Sequence, residues 1–272
     1  MKTIIVDGNL CNRCGICSVV CPSGIIVAGY EGSLPLIGKE YAALCLQCGH
    51  CEAFCPTGAL TLNLRPEERI TLPEDAGEIS PETIAFYLKK RRSIRHFTAD
   101  PVSKELISAI LDVARYAPSG GNSQPVQWLV VHDPERVKTI AALTMEWMKS
   151  LQNTGHPMAG YVPALLAAWE QGFDVICRGA PHLLFAIVPD GNPIAPADAI
   201  IALTHVDIAA PAYGVGTCWA GFVAGAAAFY RPLQEELGLP AGFKCAYAMM
   251  LGYPRYRVHA IPRRKPLQVA WQ

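Results

Sequence analysis

Two sets of four cysteines, placed alike, carry the most specific chemistry in this chain. Cys11, Cys14, Cys17 and Cys21 are followed by Pro22, and Cys45, Cys48, Cys51 and Cys55 by Pro56. Both runs read C-x2-C-x2-C-x3-C-P. A single C-x-x-C is shared by zinc ribbons and redox thiols, whereas two full runs have the spacing by which thiolates hold two [4Fe–4S] cubes. Three cysteines in tight turns wrap three corners of one cube. The fourth, held off by three residues and stopped by proline, reaches the other. The ligand sets are then Cys11, Cys14, Cys17 with Cys55, and Cys45, Cys48, Cys51 with Cys21. Zinc sites pair two C-x2-C knuckles and give the remaining cysteines no role. A disulfide framework needs an oxidising compartment, and the polar-interrupted segment after Met1 does not read as a signal peptide.

A small unit over 1–64 must position these thiols. An extended start (Thr3 to Val6) leads into the first run and then to Gly24–Val27. Tyr30–Ile37 reads as a hairpin or loop, and the second run leads to an extended Leu60–Leu64. C-P-S-G-I-I and C-P-T-G-A-L repeat after the two runs. So few apolar residues make little core, and such a unit depends on its clusters to fold. His50, inside the second run, is either a tuner of its cluster or exposed filler.

Residues 65–80 are polar and contain proline, with no periodic pattern, which predicts a linker. Beyond it, 81–272 alternates helices and strands. Ser80-Pro81 predicts a helix from 81 to about 91 with Ile84, Tyr87 and Leu88 on one face, and Ser103 caps the next. Strands are expected at Gln127–His132, Leu183–Val188, Gly216–Val223 and Lys244–Gly252. Helices are expected over 134–150, 197–213 and 226–237, with 151–178 partly helical. Pattern alone leaves α/β and α+β layering both open.

The chain is 51% hydrophobic and only 17% charged, with zero formal net charge. That composition suits a substantial core and excludes a disordered or polyanion-coating protein; no nucleic-acid partner is expected. The apolar stretch 199–228 is broken by His205, Asp207 and Pro211, so a buried helix and strand fit it better than a membrane span. A soluble, cytoplasmic protein is expected. His96, His182 and His205 read as structural. Cys177, Cys218 and Cys245, in apolar surroundings, read as buried, inert thiols.

Three polar clusters remain. They are Arg91-Arg92-Ser93-Ile94-Arg95-His96-Phe97, Pro118-Ser119-Gly120-Gly121-Asn122-Ser123-Gln124-Pro125, and Pro262-Arg263-Arg264-Lys265-Pro266. Each alone is an ordinary solvated run or turn. In combination and order, R-R-S-I-R-x-F, A-P-S-G-G-N-S-Q-P-x-x-W and the terminal P-R-R-K-P resemble the nitroreductase-type FMN flavoproteins over roughly 81–272. The whole chain is similar to fusions of a bacterial-ferredoxin-like domain with such a flavoprotein. The resemblance implies an α+β, nitroreductase-like fold, a sheet flanked by helices, in a homodimer with FMN at the subunit interface.

It also implies roles. Arg91, Arg92 and Ser93 would reach the phosphate, ribityl chain and ring edge, with Arg95 close by. Arg263 and Lys265, with Arg264 between them, would complete a phosphate clamp, as guanidinium and ammonium groups suit a dianion. Pro118, Ser119, Gly120 and Asn122 would come from the partner copy to line the ring, with Gln124 near them. Ala220 and Gly221 would offer backbone N–H groups to the N5 side of the flavin. Ala220 departs from the larger or acidic residue of many relatives.

An FMN handles one or two electrons and a [4Fe–4S] cluster one. The fusion therefore implies an oxidoreductase that passes electrons from two clusters through FMN to a small, flat, electron-poor acceptor: a nitroaromatic, a quinone or an enone. The donor would be ferredoxin or NAD(P)H, and no G-x-G-x-x-G site indicates a Rossmann domain. A non-catalytic electron carrier between redox proteins is the alternative, and a redox sensor a third reading. No catalytic side chain is assigned, because the cofactor carries the chemistry.

Overall fold

In the computed structural model, which describes residues 3–28, 33–73 and 77–272, the two cysteine runs fold alike. Residues 29–32 of the expected hairpin or loop, and 74–76 of the expected linker, lie outside the described residues. Arg13 and Gln47, each just before a second cysteine, are left-handed at φ 60 and 52. Gly15 and Gly49, just after it, follow at φ 75 and 73, a conformation glycine adopts without steric cost. Each glycine then starts a single helical turn, α1 (Ile16–Val19) and α2 (His50–Ala53), which carries the third cysteine of its run.

The chain divides into two units, Met1–Glu78 with Gly121–Ser123, and Ile79–Gly120 with Gln124–Gln272. In the first, β1 (Ile4–Val6) pairs antiparallel with β4 (Leu60–Leu62), and β2 (Ile26–Val27) with β3 (Leu36–Ile37). Its core is Ile4, Ile25, Ile26, Leu60 and Leu62 packed with Cys17 and Cys51. Arg69, inside the expected linker, is tied to this unit. Its guanidinium donates to the Gly58 carbonyl and the Thr61 hydroxyl and sits 3.3 Å from Glu52.

The second unit begins with α3 (Pro81–Lys90) and α4 (Lys104–Ala114). The Ser80 and Ser103 hydroxyls accept from the N–H groups of Thr83 and Leu106, as the capping pattern predicts. Then come β5 (Gln127–Val131), α5 (Pro134–Ser150), α6 (Val162–Glu170), β6 (His182–Pro189) and α7 (Ala195–Ala209). β7 (Gly216–Trp219), α8 (Gly221–Phe229), α9 (Arg231–Leu237) and β8 (Phe243–Gly252) complete it. The four strands lie in the order β5-β6-β8-β7 with every neighbour antiparallel, which makes the fold α+β rather than α/β. Leu183, Phe185 and Ile187 of β6 face a layer built on α5, α8 and α9. Leu184, Ala186 and Val188 face α4 and α7. Burial on both faces explains why this strand is an unbroken apolar run.

Two expectations change here. The strand expected over Gly216–Val223 ends at Trp219, where Ala220 turns the chain (φ −99, ψ 64) into α8. The helix expected over 226–237 is two helices meeting at Tyr230, with Pro232 in the first turn of the second. No helix of the described residues is long and apolar enough to cross a membrane.

Packing between α5 and α8 is close at Gly225, where a Cβ would stand 2.5 Å from Cη2 of the Trp147 ring. Trp147 is itself buried and cannot swing away. Gly225→Val should therefore destabilise this unit by about 1–3 kcal/mol, read as a lower melting temperature.

His132 and His182 stack at 4.2 Å between ring centroids. His182 Nε2 accepts the Val102 N–H at 2.8 Å, and its Nδ1 lies 2.9 Å from the His132 carbonyl, so the neutral ring is the one that fits. Burial first, then His132, lowers its pKa from 6.5. The unfolded state thus binds this proton more readily. Stability is full above about 6.5 and is lost as pH falls toward the lowered folded value. Melting temperatures between pH 7.5 and 5 should show that decline, and His182→Asn should flatten it while lowering stability at pH 7.5.

Candidate functional site

In the first unit the eight cysteines ring two cavities. Cys11, Cys14, Cys17 and Cys55 line one, and Cys21, Cys45, Cys48 and Cys51 the other. Each cavity therefore takes three thiols from one repeat and the fourth from the other. Among the described residues no three His, Cys, Asp or Glu side chains converge as a single ion requires. The four thiols of each set line one cavity, as the ligands of a polynuclear cube do.

Backbone amides approach the same sulfurs. At Cys55 burial alone would raise the pKa, but the N–H groups of Leu60, Thr57 and Ala59 and the Thr57 hydroxyl lower it overall. Burial, then the neighbouring Cys45, pushes Cys51 up to about 11. Burial likewise raises Cys17. His50 is exposed and lines the second cavity.

In the second unit, the segment after α3 runs along the edge of β7. The Ile94 N–H donates to the Thr217 carbonyl at 2.8 Å and the Thr98 N–H to that of Tyr253 at 2.9 Å. Arg91 Nη1 stands 3.2 Å from Asp207 Oδ2, with the two side chains 27% and 7% exposed. Asp207 also accepts from the Thr217 hydroxyl and, at 3.1 Å, from Trp219 Nε1. One carboxylate of α7 thus joins the arginine motif to β7. Arg92 turns back to donate to the Lys89 and Lys90 carbonyls at the end of α3. Ser93 and the exposed Arg95 both act on the Cys218 thiol in the direction that favours its ionised form.

Where β7 ends, the Ala220 N–H donates to the Ala248 carbonyl at 2.9 Å. The first turn of α8 begins at Gly221 without a side-chain cap, so its N–H groups are available to an acceptor. A Cβ on Gly221 would meet the Tyr247 hydroxyl at 3.2 Å.

The Pro118–Gln124 loop is held from within. Ser119 Oγ accepts the Gln124 N–H at 2.9 Å, and Asp198 Oδ1 accepts the Gly120 N–H at 3.0 Å. Asp198 is buried, and its other oxygen has no partner among the described residues. Pro118, Ser119, Gln124 and Asp198, with Trp128 and Ala202, line an open cavity of about 390 Å³. Gly121 and Asn122 are left-handed, at φ 57 and 54.

The predicted residues therefore fall into three groups within the chain. Arg91, Ser93 and Arg95 belong to the segment beside β7, Arg92 turns back to α3, and Ala220 and Gly221 stand where β7 ends. Pro118, Ser119, Gly120, Asn122 and Gln124 form a separate loop. Arg263, Arg264 and Lys265 lie exposed on a tail without regular structure. Sequence reading took Asp207 only as a break in an apolar stretch and gave Asp198 no role, because Arg91 and Gly120, the partners they serve, are distant in sequence. The three spare cysteines are all buried. Burial raises Cys177 and Cys218 and pushes Cys245 up to about 12.

Known proteins share both parts. The nitroreductase family profile matches residues 88–253, more than half of the chain, and a 4Fe-4S dicluster domain profile matches residues 10–60. An FMN reductase [NAD(P)H] of Bacillus subtilis is 30% identical over 189 residues, covering 65% of this chain and 68% of the relative. An iodotyrosine deiodinase of Nematostella vectensis is 28% identical over 125 residues, 42% of this chain. The chain spans 46% of that deiodinase's length. A nitroreductase from Desulfitobacterium hafniense, solved with bound FMN, superposes with a TM-score of 0.57 at 23% identity, covering 71% of this chain and all of that one. The last likeness concerns the fold, and it agrees with the antiparallel sheet and its two helical layers. The chain belongs to the nitroreductase family and is an oxidoreductase with a 4Fe-4S dicluster domain ahead of its nitroreductase domain.

Proposed function

We propose that this protein passes electrons from two [4Fe–4S] clusters, or from NAD(P)H directly, through FMN to a small, electron-poor acceptor such as a nitroaromatic, a quinone or an enone. The observation that carries the reading is the pair of thiol-ringed cavities, each drawing its fourth cysteine from the other repeat, in a chain of the nitroreductase family. Cys11, Cys14, Cys17 and Cys55 hold one cube, and Cys45, Cys48, Cys51 and Cys21 the other. When bound, the cubes supply single electrons and the flavin one or two.

The residues fit a flavin. Ser93 and Arg95 offer a hydroxyl and a guanidinium beside β7, and Arg91, fixed by Asp207, orders the backbone leading to them. The uncapped N–H groups at Gly221 stand ready for ring acceptors. A second copy of the chain brings Pro118, Ser119, Gly120 and Asn122 to the ring, with Gln124 near them, so the working unit is a homodimer; the exposed Arg263, Arg264 and Lys265 complete the phosphate clamp. The open cavity beside the Pro118–Gln124 loop leaves space for an acceptor, which favours an enzyme over a sealed carrier.

The test is anaerobic reconstitution followed by stopped-flow spectra. Reduced ferredoxin, NADH or NADPH should bleach the flavin, and nitro or quinone compounds should restore it over many turnovers. A preparation that binds no flavin, or that is bleached but never reoxidised by small acceptors, overturns the reading.

A further inference from the structure

The two cysteine repeats fold alike, yet their surroundings differ at two matching positions. Each repeat ends in the same turn: the Gly24 N–H donates to the Cys21 carbonyl at 3.0 Å, and the Gly58 N–H to that of Cys55 at 3.1 Å. A Cβ on Gly24 would meet nothing within 4 Å among the described residues, whereas one on Gly58 would stand 3.1 Å from an Arg69 guanidinium nitrogen. Arg69 Nη1 donates to the Gly58 carbonyl and to the Thr61 hydroxyl, both at 3.2 Å. The second difference follows the third cysteine, where the first repeat has Ser18 and the second Glu52. The Ser18 hydroxyl donates to the Gly15 carbonyl at 2.7 Å. Glu52 instead brings a carboxylate: one oxygen accepts the Leu62 N–H at 2.9 Å and the other lies 3.3 Å from Arg69 Nε.

Glu52 and Arg69 thus form one oriented pair, with side chains 18% and 31% exposed. Its positive end rests on the turn after Cys55, whose residues Thr57, Ala59 and Leu60 line the cavity of Cys11, Cys14, Cys17 and Cys55. In a trans peptide the carbonyl and the N–H point in opposite directions. A cation on the Gly58 carbonyl therefore polarises the Ala59 N–H on the far side of the same peptide. The Thr57 hydroxyl lies 3.8 Å from Cys55 Sγ, while its counterpart Ser23 donates away to the Leu44 carbonyl at 2.9 Å. The negative end of the pair sits on α2 next to Cys51, which lines the other cavity. A nearby cation favours the reduced, more negative state of a cube, and a nearby anion disfavours it.

We propose that the Glu52–Arg69 pair makes the two cubes unequal, raising the potential of the one ringed by Cys11, Cys14, Cys17 and Cys55 and lowering that of the other. The inference rests on the two-cluster reading above. Arg69 and Glu52 are positioning residues: neither is a ligand, and each acts through the element that carries one. The first electron delivered by a donor then rests on the first cube, and the next enters the second.

The test is an anaerobic redox titration of the reconstituted full chain, followed by electron paramagnetic resonance. Dithionite gives one electron to each cube and is itself oxidised. Arg69→Met should lower the upper of the two potentials more than the lower one. The equilibrium constant of that one-electron step should fall roughly threefold to tenfold, or about 30–60 mV at 59 mV per tenfold. Glu52→Gln should raise the lower potential more than the upper, and the double variant should close the gap furthest. Arg69→Lys, which keeps the charge, should recover part of it. Cys55→Ser, left with the other cube, should show the lower step alone. Iron held at about eight per chain in the pair variants separates tuning from loss of structure. Steps that shift equally, or not at all, overturn the role of the pair, as does a Cys55→Ser chain that keeps the upper step. Loss of iron in both single variants overturns it too, since the pair would then be a structural brace. A wild-type chain that takes up far fewer than about eight irons overturns the two-cluster reading instead.

Discussion

Replacing Cys55 with serine will remove the cube ringed by Cys11, Cys14 and Cys17, and leave the cube nearest to Cys55 in sequence intact. Iron should fall from about eight to about four per chain in anaerobic preparations. A second substitution reads out the crossing. Cys55→Ser with Cys14→Ser should still hold about four irons, since both residues line one cavity. Cys55→Ser with Cys48→Ser should hold almost none, since Cys48 lines the other. If each repeat held its own cube, the two double variants would exchange results. The first unit has a core of few apolar side chains, two of its seven buried members being cysteines. Loss of both cubes should therefore also unfold β1 and β4, visible as lost hydrogen-exchange protection in this unit alone.

Asp207→Asn will be the most damaging single change in the second unit outside its apolar core. It leaves Arg91 without its counter-charge and weakens the bonds from Thr217 and Trp219. Removing one partner of a largely buried ion pair costs about 3 kcal/mol or more, which for a unit of this size lowers the melting temperature by roughly 6–12 °C. Because one carboxylate binds both the arginine motif and β7, flavin retention should fall with stability. Arg91→Met combined with Asp207→Asn should cost at least about 1 kcal/mol less than the two changes summed. Strict additivity would mean that the ion pair does not link the two elements.

Much of this was legible in the residues because the chemistry constrains them locally. A cube fixes the distance between its ligands, so the cysteine spacing alone gives the quartets that line the two cavities. Ser80 and Ser103 announce helices because a hydroxyl at that position satisfies a free N–H. The run from Gly216 to Val223 misled for a physical reason. A buried strand and a buried helix are equally apolar, and the turn at Ala220 carries no proline or polar signal. Nor is the break at Tyr230 visible, as Pro232 is tolerated in the first turn of a helix and does not by itself end one.

The sites' supporting carboxylates were hidden differently. Asp207 and Asp198 serve partners more than seventy residues away, Arg91 and Gly120, and local periodicity holds no trace of such pairing.

The central claim is that iron–sulfur and flavin chemistry serve one electron path in this protein. It is tested most directly by mixing the anaerobic, fully loaded chain with reduced ferredoxin and following the flavin absorbance in wild type and in Cys55→Ser with Cys48→Ser. The account predicts rapid bleaching in the wild type and bleaching slowed by orders of magnitude when both cubes are gone, with flavin content unchanged. Equal bleaching rates in the two proteins would contradict it.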